Sequence, residues 1–252
     1  MAEKEGGPMD SAFKDLAAMD YPGRVIILGR SRDGKTVVVY AITGRSPSSQ
    51  ARKLEWSEDG VWVRPTDEET LKKGHVDLLV YPAMLFFPRG VAVSNGKQTV
   101  DVRRALEHGS NPLSVLSASL IAWEYEPDPP IFTPRISGCI LPGPKAALNI
   151  IKRGTDGAAV RDSFEVTLLP GKGKMISTYD GVNKDPLRSF PGDPLNVNID
   201  GADSAQTAEA VYESLKPSGA GPDFRVAVAC LFAGDIPRNQ YEVSIINRHE
   251  RT

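Results

Sequence analysis

VIILGRSRDGKTVVVYAITGRSPSSQAR, residues Val25 to Arg52, reads as two strands, a tight turn and a polar loop. Val25-Ile26-Ile27-Leu28 is a short apolar run, and Thr36 to Thr43 is almost wholly β-branched or aromatic. Between them Asp33-Gly34 supplies the positive-φ residues of a hairpin turn. The same stretch contains GRSRDGKT, Gly29 to Thr36, which fits the G-x-x-x-x-G-K-[ST] pattern of phosphate-binding loops. Such a loop works by opening a helix whose first N–H groups hold the anion. Here it opens TVVVYAIT, a strand composition with no cap, so the stretch is a hairpin. Gly44 to Arg52, beyond it, is too polar and too rich in turn formers for core. Its Arg45 and Arg52 are the donors an anionic ligand needs.

Working outward, Met9 to Met19 predicts a short amphipathic helix stopped by Tyr21-Pro22-Gly23. Lys53 to Arg64 predicts two strands about an acidic turn, with Leu54 and Trp56 on one side and Val61 and Val63 on the other. Thr66 to Lys73 carries the charge order of a short helix. Asp77 to Tyr81 and Met84 to Phe87 are two apolar runs, and Gly90 to Val100 reads as a strand, an Asn95-Gly96 turn and the start of another strand. Helices are predicted over Val102 to Glu107 and Pro112 to Glu124, the second from Leu113, Leu116, Leu120 and Trp123 at helical spacing. Ile136 to Leu141, Phe164 to Leu169, Lys174 to Tyr179, Phe224 to Ala233 and Tyr241 to Ile246 are strands; Ala146 to Lys152 is a strand or a helix. Asp180 to Ser204 is a long Pro/Gly/Asn-rich loop and Ala205 to Leu215 a helix. Many hairpin-linked strands with helices outside them make an α+β protein with antiparallel sheets.

A chain of 252 residues with 40% hydrophobic and 25% charged residues is ordinary for a globular protein and long enough to need no staples. A net charge of −2 sets up no strong field for nucleic acid or anionic membranes, though a local basic pocket is compatible with it. Cys139 and Cys230 lie in apolar surroundings without a C-x-x-C partner and read as buried free thiols, ahead of a single disulfide and well ahead of a metal site. His75, His108 and His249 are far apart, with no metal spacing. Neither a signal-peptide pattern nor an 18-residue apolar stretch occurs, so the expected location is the cytoplasm.

Polar residues at the ends of elements are the candidates for chemistry: Arg45, Arg52, Tyr81, Ser94, Asn95, Glu126 beside Tyr125, and Arg135. Each has a plainer reading as well: Asn95 as the turn former, the arginines as helix caps or surface ion pairs, Glu126 as a solvated loop residue. No G-x-S-x-G occurs, and neither cysteine has a histidine near it in sequence, so a nucleophilic triad is poorly supported.

The series YPGRVIILGRSRDGKTVVVYAITGRSPSSQAR, VYPAM, GVAVSNGKQT, LIAWEYEPDPPIFTPRISG and ISTYDG resembles the archaeal-type IMP cyclohydrolase family of purine biosynthesis. Order and spacing carry the resemblance, above all at Gly44-Arg45-Ser46, Val93-Ser94-Asn95-Gly96, Tyr125-Glu126 and Thr133-Pro134-Arg135-Ile136. It implies one domain over residues 21–252 behind an extension of residues 1–20. The implied fold is a four-layer α-β-β-α sandwich similar to N-terminal-nucleophile hydrolases, without a self-processed nucleophile. The implied reaction closes the ring of 5-formamidoimidazole-4-carboxamide ribotide to give IMP and water, with no cofactor and no metal. A purine ribonucleotide is the implied partner and a homo-oligomer the implied assembly. Carried over residue by residue, Glu126 is the acid–base group, with Tyr125 shielding it and raising its pKa. Tyr81 hydrogen-bonds the formyl oxygen, and Arg52 binds or orients substrate. Arg45 and Arg135 are for the phosphate or for holding the site, and Ser94 and Asn95 for the base. The chain departs from the family pattern where Ser48-Ser49-Gln50-Ala51 replaces an expected asparagine and Pro82 replaces an asparagine after Tyr81. Its alternatives are a diverged nucleotide-binding homologue on the same fold and, more weakly, an amide hydrolase.

Overall fold

The computed structural model of the chain describes residues 12–67, 80–217, 219 and 221–251. All but the first two residues of the helix expected over Thr66 to Lys73, most of the run before Tyr81, His75 and the first residues of the Met9 to Met19 helix lie outside the described residues.

Alternation along the opening hairpin sets the layers. β1 (Arg24–Arg30) and β2 (Thr36–Thr43) pair antiparallel, with Ile26 opposite Tyr40 and Leu28 opposite Val38. Side chains of a strand alternate between faces, so Ile26, Leu28, Val38, Tyr40 and Ile42 share one face and Val25, Ile27, Val37, Val39 and Ala41 the other. Both faces are buried, and each belongs to a different apolar cluster. The strands are therefore central ones covered on both sides.

Six strands form the first sheet, in the order β11 (Leu195–Asn198), β10 (Lys172–Ser177), β1, β2, β12 (Arg225–Asp235) and β13 (Gln240–Asn247). The second has seven, in the order β3 (Arg52–Ser57), β4 (Gly60–Pro65), β5 (Tyr81–Phe87), β6 (Gly90–Ser94), β7 (Arg135–Ile140), β8 (Lys145–Arg153) and β9 (Ala159–Thr167). Every ladder in both sheets is antiparallel. Val61, Val63, Tyr81, Val91, Val93, Ile136 and Leu148 of the second sheet meet the inner face of the first in one core. Outside the first sheet lie α1 (Lys14–Ala17) and α5 (Ser204–Ser214), through Leu16, Ala208, Val211 and Tyr212. Outside the second lie α3 (Thr99–Leu106) and α4 (Pro112–Leu120), through Val102, Leu106, Val115, Leu116 and Leu120. A four-residue turn of helix, α2 (Pro47–Gln50), sits in the arginine loop behind a Ser46 capping box. The result is the four-layer α-β-β-α sandwich.

Local chemistry explains where elements begin. Asn111 accepts from Ser114 N and Pro112 takes the first helical position, so α4 starts there. Asp203 does the same for α5 through Gln206 N. Gly34, at φ 91°, closes the hairpin, and Lys35 pairs with Asp33 rather than facing an anion.

Some expectations are corrected. Asn95-Gly96 does not turn into a second strand; it leads into α3, which starts at Thr99. Tyr81 and the Met84 to Phe87 run are one strand, with Pro82 opposite Trp62 where the β4–β5 register shifts. A bulge tolerates the donor that proline lacks. Leu54 pairs with Val63 and Trp56 with Val61, so all four lie on one face. Residues 145–153 are a strand, β9 begins before Phe164, and the long loop after Tyr179 contains β11. Cys139 and Cys230 are free and buried. No helix among the described residues is long and apolar enough to cross a membrane.

Candidate functional site

Arg24 opens β1, Arg52 opens β3, Tyr81 opens β5 and Arg135 opens β7, while β6 ends at Ser94 and β10 at Ser177. Antiparallel pairing puts these strand ends at one end of the two sheets. A cleft of about 670 Å³ lies there, a volume in the range of small-molecule sites.

Its floor is cationic. Arg24 comes from the first sheet and Arg52 from the second, and their charges act on one another. Neither has a carboxylate within salt-bridge distance among the described residues. Arg24 donates to Thr43 O at 2.7 Å, and the buried Nε of Arg52 has no hydrogen-bond partner among the described residues. Burial, and then the charge of Arg24, lower the Arg52 pKa below the ordinary arginine value. Beside them the Tyr81 hydroxyl meets that of Tyr40 at 2.9 Å.

One wall carries the carboxyl group. Glu126 Oε1 lies 2.6 Å from Arg135 Nη1, and both side chains are nearly buried. Burial raises the Glu126 pKa above the ordinary carboxylate value, and the guanidinium beside it pulls the other way. Arg135 is itself fixed: Nε donates to Glu124 O at 2.7 Å, Nη1 to Gln98 Oε1 at 3.2 Å, and the guanidinium stacks 4.8 Å from the Trp123 ring. The loop between Glu126 and Arg135 is closed on itself. Glu126 N donates to Thr133 O, while Thr133 N and Oγ1 donate to the two Asp128 carboxylate oxygens. Asn95 ties this loop down, donating to Pro134 O at 2.8 Å and accepting from Ile136 N at 2.9 Å and Gln98 Nε2 at 3.0 Å.

The opposite wall is apolar and aromatic. Tyr21 and Tyr179 stack at 5.6 Å, with Leu187 and Ile131 beside them. Tyr179 Oη lies 3.0 Å from Thr133 Oγ1, and burial pushes its pKa up to about 12. At the mouth, Arg45 pairs with Asp185 at 2.8 Å, donates to Asn183 Oδ1 at 3.1 Å, and lies 5.2 Å from the Tyr21 ring centre.

Of the residues expected from sequence, the cleft gathers Arg45, Arg52, Tyr81, Asn95, Glu126 and Arg135. Two lie elsewhere. Ser94 is wholly buried, on the same strand face as Ala92, which packs under the outer helices, so its hydroxyl does not reach the cleft. Tyr125 turns away, donating to Gly157 O at 2.7 Å and packing edge-on against Phe132. Burial, with no contribution from Tyr125 among its causes, raises the Glu126 pKa. Ser49 lines the cleft, whereas Pro82 does not. Sequence reasoning missed Arg24, Tyr40, Tyr21, Tyr179 and Thr133. Of these, Arg24 had a readable signal, as an arginine immediately before a fully apolar strand.

Fold and cleft define the class: an α-β-β-α sandwich with a cationic, tyrosine-walled cleft at one end of its paired sheets. A family model described as IMP cyclohydrolase-like protein matches residues 21–223. The chain belongs to that family. The IMP cyclohydrolase of Methanothrix thermoacetophila is 30% identical over 192 residues, 76% of this chain and 85% of that one. The IMP cyclohydrolase of Halobacterium salinarum is 29% identical over 77% of this chain and 85% of its own. That of Methanocaldococcus jannaschii is 26% identical over 66% and 76%. Among solved structures, an N-acylethanolamine-hydrolyzing acid amidase ortholog from Caenorhabditis elegans aligns with 87% of this chain and 99% of that one. Its TM-score of 0.35 and 9% identity carry no argument.

Proposed function

We propose that this protein is an IMP cyclohydrolase, closing the ring of 5-formamidoimidazole-4-carboxamide ribotide to give IMP and water. The observation that carries the reading is a buried carboxyl, Glu126 held against Arg135, facing the same cleft as Tyr81 and two arginines that have no carboxylate partner among the described residues. In the first step the carboxamide nitrogen attacks the formyl carbon. Glu126 takes a proton from that nitrogen and delivers it to the formyl oxygen, which becomes a hydroxyl. In the second step the formamide nitrogen gives up its proton and the hydroxyl leaves as water. A carboxyl whose pKa is raised above the ordinary value serves both transfers better than an ordinary one.

Charge grows on the formyl oxygen as the nitrogen attacks, and Tyr81, Arg52 and Arg24 are the donors that meet it on the floor. Their guanidinium charges are fixed before substrate arrives, so little reorganisation accompanies the step. Tyr21 and Tyr179 offer the heterocycle an apolar face. Arg45, at the mouth, is the candidate for the phosphate, and Arg135 holds Glu126 rather than substrate.

Incubating the protein with the ribotide and following IMP formation is the direct test. Glu126→Gln is expected to lower kcat by roughly 10²–10⁴-fold, with KM nearly unchanged. Equal losses in kcat and in substrate affinity would remove the acid–base role. Tight binding without turnover in the wild type would replace the enzyme by a nucleotide-binding homologue.

A further inference from the structure

Tyr40 sits in the middle of β2, on the face that looks across the inter-sheet core, and none of its surface is exposed. Its hydroxyl has one partner among the described residues, the Tyr81 hydroxyl at 2.9 Å. The two tyrosines come from opposite sheets, so their contact bridges the sandwich just beneath the cleft floor.

Donors and acceptors can be counted here. A phenol has one proton to give, and its oxygen can accept from two donors. Tyr40 stays protonated, because burial opposes its ionisation more than any neighbour favours it. That proton needs an acceptor, and the Tyr81 oxygen is the one within reach. Were Tyr81 instead to donate to Tyr40, the Tyr40 proton would be buried with nothing to bond, and the full desolvation of that donor would be lost. Arg24 stands close enough on the first sheet for its charge to act on Tyr81. With its oxygen accepting from Tyr40, the Tyr81 proton is left for the cleft it lines.

We infer that Tyr40 is a positioning residue for Tyr81: it donates to the Tyr81 oxygen and so aims the Tyr81 proton into the cleft, at the substrate oxygen on which charge develops. The inference rests on the proposed role of Tyr81 as a donor to the formyl oxygen. Chained hydrogen bonds polarise one another, so a Tyr81 that accepts from Tyr40 is also a stronger donor than an isolated phenol. The oriented donor is thus assembled from both sheets and depends on their register.

The test is a double-mutant cycle on turnover. Tyr40→Phe keeps the ring and removes the hydroxyl. It is expected to lower kcat by about tenfold, the upper end of what one hydrogen bond supplies, with KM changed less than about twofold. In a Tyr81→Phe background the same change is expected to cost nothing further in kcat. An equal kcat loss in both backgrounds, a loss confined to KM, or an unaltered kcat in Tyr40→Phe would overturn the inference. A proton NMR measurement on the free protein separates this from failure of the cyclohydrolase reading. The solvent-protected hydroxyl proton should belong to Tyr40, vanish in Tyr40→Phe, and shift in Tyr81→Phe. A protected proton belonging to Tyr81 would overturn the inference whether or not the protein turns over the ribotide. Wild-type protein that shows the Tyr40 proton but no turnover would sink the reaction, and with it the aim at the formyl oxygen.

Discussion

Glu126 shows how one residue's role depends on the side chains around it. Burial raises its pKa and Arg135 opposes the rise, so the sign of a pH effect follows. In the proposed mechanism the attacking step needs the carboxylate, so activity should fall as pH drops through the Glu126 pKa. The acid limb of kcat/KM should therefore lie above 4.5, the ordinary value for this group. Replacing Arg135 by Gln removes the opposing charge, so that limb should move to higher pH, and Glu126→Gln should abolish it. A limb that stays put in Arg135→Gln would mean that another group titrates there. Much of this residue set was legible in the sequence, because polar residues at strand ends stand out: Arg45, Arg52, Tyr81, Glu126 and Arg135 all reach the cleft. Ser94 was misread for the same reason, since position at a strand end does not say which face a side chain takes. Tyr40 was invisible among VVVYAIT, where it reads as core. Only the meeting of β2 with β5 across the two sheets brings its hydroxyl to that of Tyr81.

At the scale of elements, the segment from β6 to β7 holds the site together. Gly96 leaves β6 and passes directly under Arg135. A Cβ added there would fall 2.6 Å from Gln98 Oε1 and 2.8 Å from Arg135 Nη1, so the ends of those side chains would have to shift. Gly96→Ala should push Arg135 away from Glu126 and lower kcat, with KM for the ribotide much less affected, in steady-state kinetics. Asn95 does a different job, satisfying Pro134 O and Ile136 N where β7 begins. Asn95→Ala leaves both backbone groups buried and unpaired, at about 1–3 kcal/mol each, so urea unfolding should show a clear loss of stability. The sequence suggested Asn95-Gly96 as a hairpin turn because that dipeptide favours one locally. Tertiary partners decided otherwise: the asparagine side chain is committed to a strand 39 and 41 residues away. Strand β11 was similarly unreadable, being four residues inside a Pro- and Gly-rich stretch, and it forms only because the β10 edge is there to pair with it.

For the whole molecule, the two sheets each bring one arginine and one tyrosine to the same point: Arg24 and Tyr40 from the first, Arg52 and Tyr81 from the second. Bringing like charges together beneath a closed core works against folding, and the unpartnered Arg52 Nε marks where. Folded proteins keep such strain where function uses it. Arg52→Met keeps most of the apolar stem and removes the charge. Without ligand it should unfold at a higher temperature than the wild type, by about 1–2 kcal/mol, or roughly 2–8 °C for a chain of this size. Ligand should reverse the order. A nucleotide whose oxygens meet both guanidiniums stabilises the wild type by about 2.7 kcal/mol at a hundred times its Kd. Arg52→Met, with a weaker Kd, gains less at the same concentration. Thermal unfolding with and without IMP measures all four values. A variant less stable than the wild type without ligand would show that Arg52 supports the fold, and an equal IMP shift in both proteins would show that Arg52 does not meet the nucleotide. The expected crossing, with the variant ahead when empty and the wild type ahead when filled, would tie the cost borne in folding to the charge offered to substrate.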